Sequence, residues 1–213
     1  MKLFLSLLVM INFSAVAADD IRIFTPETIK EMIGPHPAKG SEEERREFEF
    51  LENLQRTRTE EQCMLAANQE SSSLGALFAN DGGPLSRTEA KILTVRFLEA
   101  YASAGINIYL AKSLYERPRP YDANPALTPC IAKESSSAYP SGHTALSRMF
   151  ARILSRIYPE RAAALMKRAD EVAMNRMLGG VHHPSDIVAG KKLGDAMATE
   201  VDDEELMKMV KGN

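Results

Sequence analysis

Twelve residues near the C-terminal end, Asn175 to Asp186, gather an arginine, two histidines and an aspartate around a glycine pair and a proline. Gly179-Gly180 closes one helix and Pro184 opens the next, so His182 precedes a helix N-terminus and Asp186 falls in its first turn. From there the carboxylate reaches back to a ring nitrogen of His182 and sets its tautomer, leaving the other nitrogen as a lone pair. An imidazole in that state is a nucleophile or a base. Arg176 adds a planar fork suited to an oxyanion. Standing alone, the stretch favours a His–Asp helix cap without chemistry.

Two more polar segments interrupt helix. In Lys112-Ser113-Leu114-Tyr115-Glu116-Arg117-Pro118-Arg119-Pro120, Lys112 lies near the end of a long helix and Arg119 beyond it, between prolines that fix the backbone. A guanidinium fork and an ammonium point charge together suit phosphate. In Tyr139-Pro140-Ser141-Gly142-His143-Thr144, Ser141 caps the following helix, and the free N–H groups there, that of Gly142 included, face any anion at the helix end. His143 sits in the first turn, able to donate a proton. Surface charges at a helix end and a simple capped helix start are the quieter readings of these two segments.

Taken together, the segments show Lys, six residues, Arg-Pro (Lys112 to Arg119-Pro120), then Pro-Ser-Gly-His (Pro140 to His143), then Arg, five residues, His, three residues, Asp (Arg176, His182, Asp186). In this order the chain resembles the type-2 phosphatidic acid phosphatase (PAP2) superfamily, which also holds the vanadium haloperoxidases. As an exported helical form it is similar to bacterial class A non-specific acid phosphatases. Asn175 stands where that pattern usually has Ser, and Ser137-Ala138 where class A members commonly have Gly-Ser. The resemblance implies an all-α fold and phosphomonoester hydrolysis through a phosphohistidine. His182 would attack, Asp186 would orient it, and a charged His143 would protonate the leaving group. Lys112, Arg119 and Arg176, with Ser141 and the Gly142 amide, would hold the phosphate, with no metal and no cofactor. His183 lies outside the motif, in a supporting position or at the entrance. A lipid-phosphate phosphatase acting at the membrane surface and a vanadate-dependent haloperoxidase are the alternatives.

The rest of the chain must position these groups. Its 213 residues suffice for one domain with a sizeable core, and a net charge of -3 argues against a nucleic-acid partner. Residues 1–17 read as a secretory signal: Lys2, an apolar run, then the small-x-small end Ala15-Val16-Ala17. The mature unit, residues 18–213, would then be periplasmic, without a stable membrane span, and with self-association left open. In that compartment Cys63 and Cys130 are a candidate disulfide.

Helix starts are expected at Thr25-Pro26, at Ser41 and at Ser86 (each with Glu three residues on), at Thr59, Ser141, Pro159 and Pro184. The pattern after Ser86 runs through Ile92, Val95, Phe97, Leu98, Tyr101, Ile106, Tyr109, Leu110 and Leu114, with Gly105 a candidate dividing point, and ends before Pro118. Arg148, Arg152 and Arg156 form a solvated or salt-bridged stripe. Residues 121–139 read as a loop, and with residues 60–85 they are expected to line the pocket away from the phosphate. A last amphipathic segment follows Asp202.

Overall fold

The computed structural model describes residues 21–204 and 206. The signal segment and most of the segment after Asp202 lie outside these residues. Nine α-helices and no strand occur among the described residues, in agreement with the all-α expectation. The helices are α1 (Pro26–Ile33), α2 (Glu42–Thr57), α3 (Glu60–Ala67), α4 (Arg87–Arg96), α5 (Leu98–Ser113), α6 (Pro120–Ala123), α7 (Gly142–Ile157), α8 (Ala162–Leu178) and α9 (Pro184–Thr199).

Local chemistry starts most of them. The Thr25 and Ser141 side chains accept the backbone N–H groups of Thr28 and Thr144. Thr59 with Gln62 and Ser86 with Glu89 form complete capping boxes. Ser41 accepts from the Glu44 amide, but the Glu44 carboxylate takes the Gly40 amide and not that of Ser41, so the box expected there closes one residue early.

The centre is α7. Nine of its residues are buried, among them Ala145, Met149, Phe150, Ile153 and Leu154, and it lies against α5, α8 and α9. Leu165 and Val172 from α8, Leu193 and Met197 from α9, and Phe97 complete the core. The lead-in strip is stitched to α5 by the buried Asn107, whose amide accepts from the Phe24 N–H and donates to the Arg22 carbonyl. Of the arginine stripe, Arg148 and Arg152 pair with Asp195, and Arg156 with Asp203.

Two expectations are corrected. The long helix after Ser86 breaks at Phe97, not at Gly105, which lies inside α5. The Phe97 ring packs edge-on against Phe150, 6.1 Å between centroids, and the chain bends there to keep that ring inside. The large apolar residues of that pattern also divide: Phe97 is buried and Tyr101, Leu110 and Leu114 pack against the core, but Ile92, Val95, Leu98, Ile106 and Tyr109 are exposed, and Leu93, Ala100, Ala104, Ile108 and Ala111 complete the buried face. Three of the core-facing residues are alanines, which periodicity of bulky residues does not register. Residues 121–139 are irregular as expected, apart from the single turn of α6 that opens on Pro120.

The closest helix approach is between α7 and α9. A Cβ on Gly190 would lie 2.6 Å from the Ser141 carbonyl oxygen, and one on Gly194 would lie 2.4 Å from that of Ala145. The two glycines, four apart, thus let α9 lie on the backbone of α7. That contact brings the start of α9, with His182 and Asp186 before and within it, beside Ser141 at the start of α7. Gly194→Ala is expected to cost about 1–3 kcal/mol, as overpacking usually does. The urea midpoint by far-UV circular dichroism measures it, and an unchanged midpoint would mean that the helices have room to separate.

Candidate active site

At the N-terminus of α9 the Asp186 carboxylate has three donors. Its Oδ2 accepts the His183 backbone N–H at 2.8 Å, which caps the helix, and the His182 Nδ1 at 3.2 Å. Its Oδ1 accepts Arg117 Nη1 at 2.6 Å. The helix cap and the histidine orientation are therefore the same group. The Asp186 backbone carbonyl accepts the Ser141 N–H at 3.0 Å, which joins the second segment to the third. Gly180, at φ 80°, makes the turn from α8 that this arrangement requires.

Arg119 joins the first segment to the third. Its Nη1 donates to the Val181 carbonyl at 2.8 Å and to His182 Nε2 at 3.0 Å. Its Nε donates to the Ser136 carbonyl at 2.9 Å. Because an arginine N–H can only donate, Nε2 of His182 is an acceptor, and the ring proton belongs on Nδ1, facing Asp186. Burial, with Arg119, Lys112 and Arg176 nearby, lowers His182 well below the usual histidine range, so the ring is neutral. Burial pushes the Asp186 carboxyl up, to about 7, against the pull of Arg117. The proton of the neutral ring therefore stands on Nδ1, toward Asp186 Oδ2.

Lys112, in the last turn of α5, donates to the Ser137 carbonyl. It is half-buried, and desolvation together with Arg119 lowers it to about 8. Gly142, the first residue of α7, lies against it: a Cβ there would be 3.8 Å from Lys112 Cε. Ser141 is fully buried, its hydroxyl taken up by Thr144. Arg176, at the end of α8, is 1% exposed, and its Nε and Nη1 have no partner among the described residues. His143 Nε2 lies 2.8 Å from the Glu70 carbonyl. Burial first, and then Arg176, lower His143 to about 4, so the ring expected to be charged is neutral in the free site. The structure therefore brings together all eight residues named from sequence. His183 is not at an entrance: it is buried, neutral, and placed 3.3 Å from the Pro118 carbonyl, with burial and Arg117 lowering it to about 3.

Three residues were missed. Arg117 is buried between Asp186 and Glu47, with Nη2 2.6 Å from Glu47 Oε2, and Glu47 Oε1 in turn accepts the Ser185 N–H at 2.6 Å. The Arg-Pro-Arg-Pro repeat was the available signal for Arg117, since its prolines stiffen both arginines alike. Glu47, on an otherwise charged helix, had none. The third is Glu134, in the segment expected to lie away from the phosphate. Its carboxylate joins Arg119 Nη2, at 2.7 Å, to Arg176 Nη2. Burial alone would raise Glu134, but Arg119, Arg176, His143 and Lys112 outweigh it and hold the carboxyl below its usual range.

The strap carrying Glu134 is fastened by a disulfide between Cys63 and Cys130, Cα atoms 5.9 Å apart. It is fastened also by the Cys130 N–H on the Gly179 carbonyl and by Arg58 on the Thr128 carbonyl. An open groove of about 990 Å³, lined by Ile33, Phe50, Tyr139 and Val188, lies elsewhere: none of Lys112, Arg119, His143, Arg176 or His182 lines it.

Arg117→Met would leave Asp186 and Glu47 buried without their common counter-charge. A loss of about 3–5 kcal/mol is expected, read from denaturant unfolding, with partial recovery when Glu47→Gln is added. A loss under about 1 kcal/mol, the surface-pair range, would contradict this bridge.

Residues 93–201 match the PAP2 superfamily. A non-specific acid phosphatase of Salmonella typhi is 39% identical over 90 residues, 39% of this chain and 35% of that protein. One of Providencia stuartii is 34% identical over 106 residues, 47% of this chain and 42% of that protein. The match thus spans well under half the length of these relatives. Among solved structures, a bacterial vanadium-dependent iodoperoxidase superposes with a TM-score of 0.60 at 20% identity, over 79% of this chain and 52% of the other. A transmembrane PAP2-type phosphatidylglycerolphosphate phosphatase from Bacillus subtilis gives 0.50 at 17% identity, over 76% and 86%. At these identities the superpositions speak for the fold. No helix among the described residues is long and apolar enough to cross a membrane, unlike the second neighbour's description. With the family match running over half the chain and the helical architecture shared, this chain belongs to the PAP2 superfamily.

Proposed function

We propose that the chain is an acid phosphatase hydrolysing phosphomonoesters through a phosphohistidine on His182. The observation that carries this reading is Arg176: a buried guanidinium whose Nε and Nη1 lack partners among the described residues, beside Lys112 and Arg119. Buried donors without acceptors are costly, and a tetrahedral oxyanion supplies several acceptors at once. The three cations would offset the charge that builds on the transferring phosphoryl group, the part a metal ion plays elsewhere.

In the first step the His182 Nε2 lone pair forms a bond to phosphorus as the ester P–O bond breaks, and His143 gives its proton to the departing alkoxide. In the second step water attacks phosphorus, the P–N bond breaks, and His143 takes the proton from the water. Phosphate and neutral His182 are regenerated. Asp186 keeps the ring proton on Nδ1 in the free enzyme and faces the positive charge the ring acquires when phosphorylated. Alcohols can compete with water for the same intermediate, giving phosphotransfer as a side reaction. Broad specificity fits a site whose named contacts are all with the phosphate. We place the protein in the periplasm on its signal-like residues 1–17 and the Cys63–Cys130 disulfide.

The proton inventory explains an acidic optimum. The free site holds His143 neutral, at about 4, because burial and Arg176 disfavour its charge. The proton therefore arrives on the monoanionic ester, and the bound phosphoryl charge then favours moving it to His143. Since phosphomonoesters lose their second proton near pH about 6, kcat/KM is expected to fall above that pH, whereas kcat falls at higher pH. A flat kcat/KM between roughly pH 4 and 8, two units around an ordinary histidine, would contradict the assignment. His182→Ala is expected to abolish turnover. His143→Ala should lose about a hundredfold or more on alkyl esters, the usual yield of general acid catalysis, while sparing nitrophenyl phosphate. Equal losses on both esters would remove His143 from the leaving-group step.

A further inference from the structure

Glu134 is an anion already lodged among the cations. Its carboxylate, 29% exposed, bridges Arg119 and Arg176, and among the described residues no other side chain is bonded to the Arg176 guanidinium. Its backbone is pinned: the Tyr121 hydroxyl donates to the Glu134 carbonyl at 2.9 Å and accepts its N–H at 3.0 Å. The strap on either side is tied down by the Ala132 N–H on the Glu70 carboxylate and by Arg119 on the Ser136 carbonyl. The main chain is therefore fixed, and only the side chain has solvent to turn into.

The carboxylate is an incomplete partner. Its two oxygens reach one N–H each of Arg119 and Arg176, and leave Arg176 Nε and Nη1 unmet. A phosphate placed between the same two guanidiniums offers more oxygens and more charge, so it outcompetes the carboxylate without sharing the space. Arg119 would still be held by Val181 and Ser136 after the exchange, whereas Arg176 would pass wholly to the phosphate.

We propose that Glu134 is a built-in competitor for the phosphate position: it bridges Arg119 and Arg176 in the free enzyme and turns out as the phosphoester, or the product phosphate, binds. The consequence is specific to affinity. Glu134 weakens the hold on every phosphate ligand and so limits inhibition by the product. The inference rests on reading the cluster as a phosphate site, and its test separates the two.

The full chain and its Glu134→Gln variant are titrated with inorganic phosphate, by calorimetry and by the phosphate-induced rise in Tm, and phosphate is measured as an inhibitor of nitrophenyl phosphate hydrolysis. E134Q is expected to bind phosphate about tenfold more tightly, one charge-assisted contact no longer competing. Its KM should fall with its inhibition constant, and its Tm should rise more than the parent's at the same phosphate concentration. Equal or weaker binding in E134Q, or a loss confined to kcat, would overturn the proposal and leave Glu134 as a brace for the two arginines. Glu134→Asp keeps the charge but is too short to reach both arginines from a pinned backbone. It is expected to bind phosphate more tightly than the parent too, and it decides the matter in the same way if E134Q does not fold. Parent protein that neither binds phosphate nor hydrolyses the ester would instead fail the phosphatase reading itself.

Discussion

The Asp186 carboxylate is the constraint on which the site depends. It caps α9 through the His183 amide, holds the Nδ1 side of His182 and neutralises Arg117. Its backbone carbonyl receives the Ser141 N–H, so the ends of α7 and α9 meet on one residue. That last contact requires α9 to lie close to α7, and it is Gly190 and Gly194 that let it come close. Helix packing and the protonation of one imidazole are thus the same problem, solved by one buried group.

The second theme is positive charge gathered where water is scarce. Lys112, Arg119 and Arg176 are drawn together by separate helix ends, and each lowers the proton affinity of the histidines beside it, after burial itself. Such a cluster is costly unless an anion is present. In the free molecule the anion is Glu134, which meets only part of the demand. A second charge network lies behind: Glu47, Arg117 and Asp186, with Ser185 accepting from Arg117 and donating its N–H to Glu47. The front network is suited to exchange its anion, and the rear one is suited to hold still.

Much of this was legible in sequence, and for a physical reason. Helix starts are decided within four residues, so Thr25, Thr59, Ser86 and Ser141 announce themselves. The three polar segments were readable because their residue types and order match a family pattern. What stayed hidden depends on distant neighbours. Phe97 bends a helix because Phe150 is across from it, and Ala100 and Ala104 are the buried face because α7 lies close. Gly190 and Gly194 look like weak helix residues until the facing carbonyls are seen. Glu47 and Glu134 look like surface acids, and become parts of the site only when Arg117, Arg119 and Arg176 are placed beside them. Charges whose partners lie 70 and 42 residues away have no local signature.

The central claim is that His182 takes the phosphoryl group. The direct measurement is rapid quenching of turnover with an ester carrying a radiolabelled phosphoryl group, followed by peptide mapping under alkaline conditions. The account predicts an acid-labile, base-stable label on the peptide containing His182, absent when excess vanadate is added first. Burst hydrolysis with no label retained, or label on a serine or on His143, would contradict it.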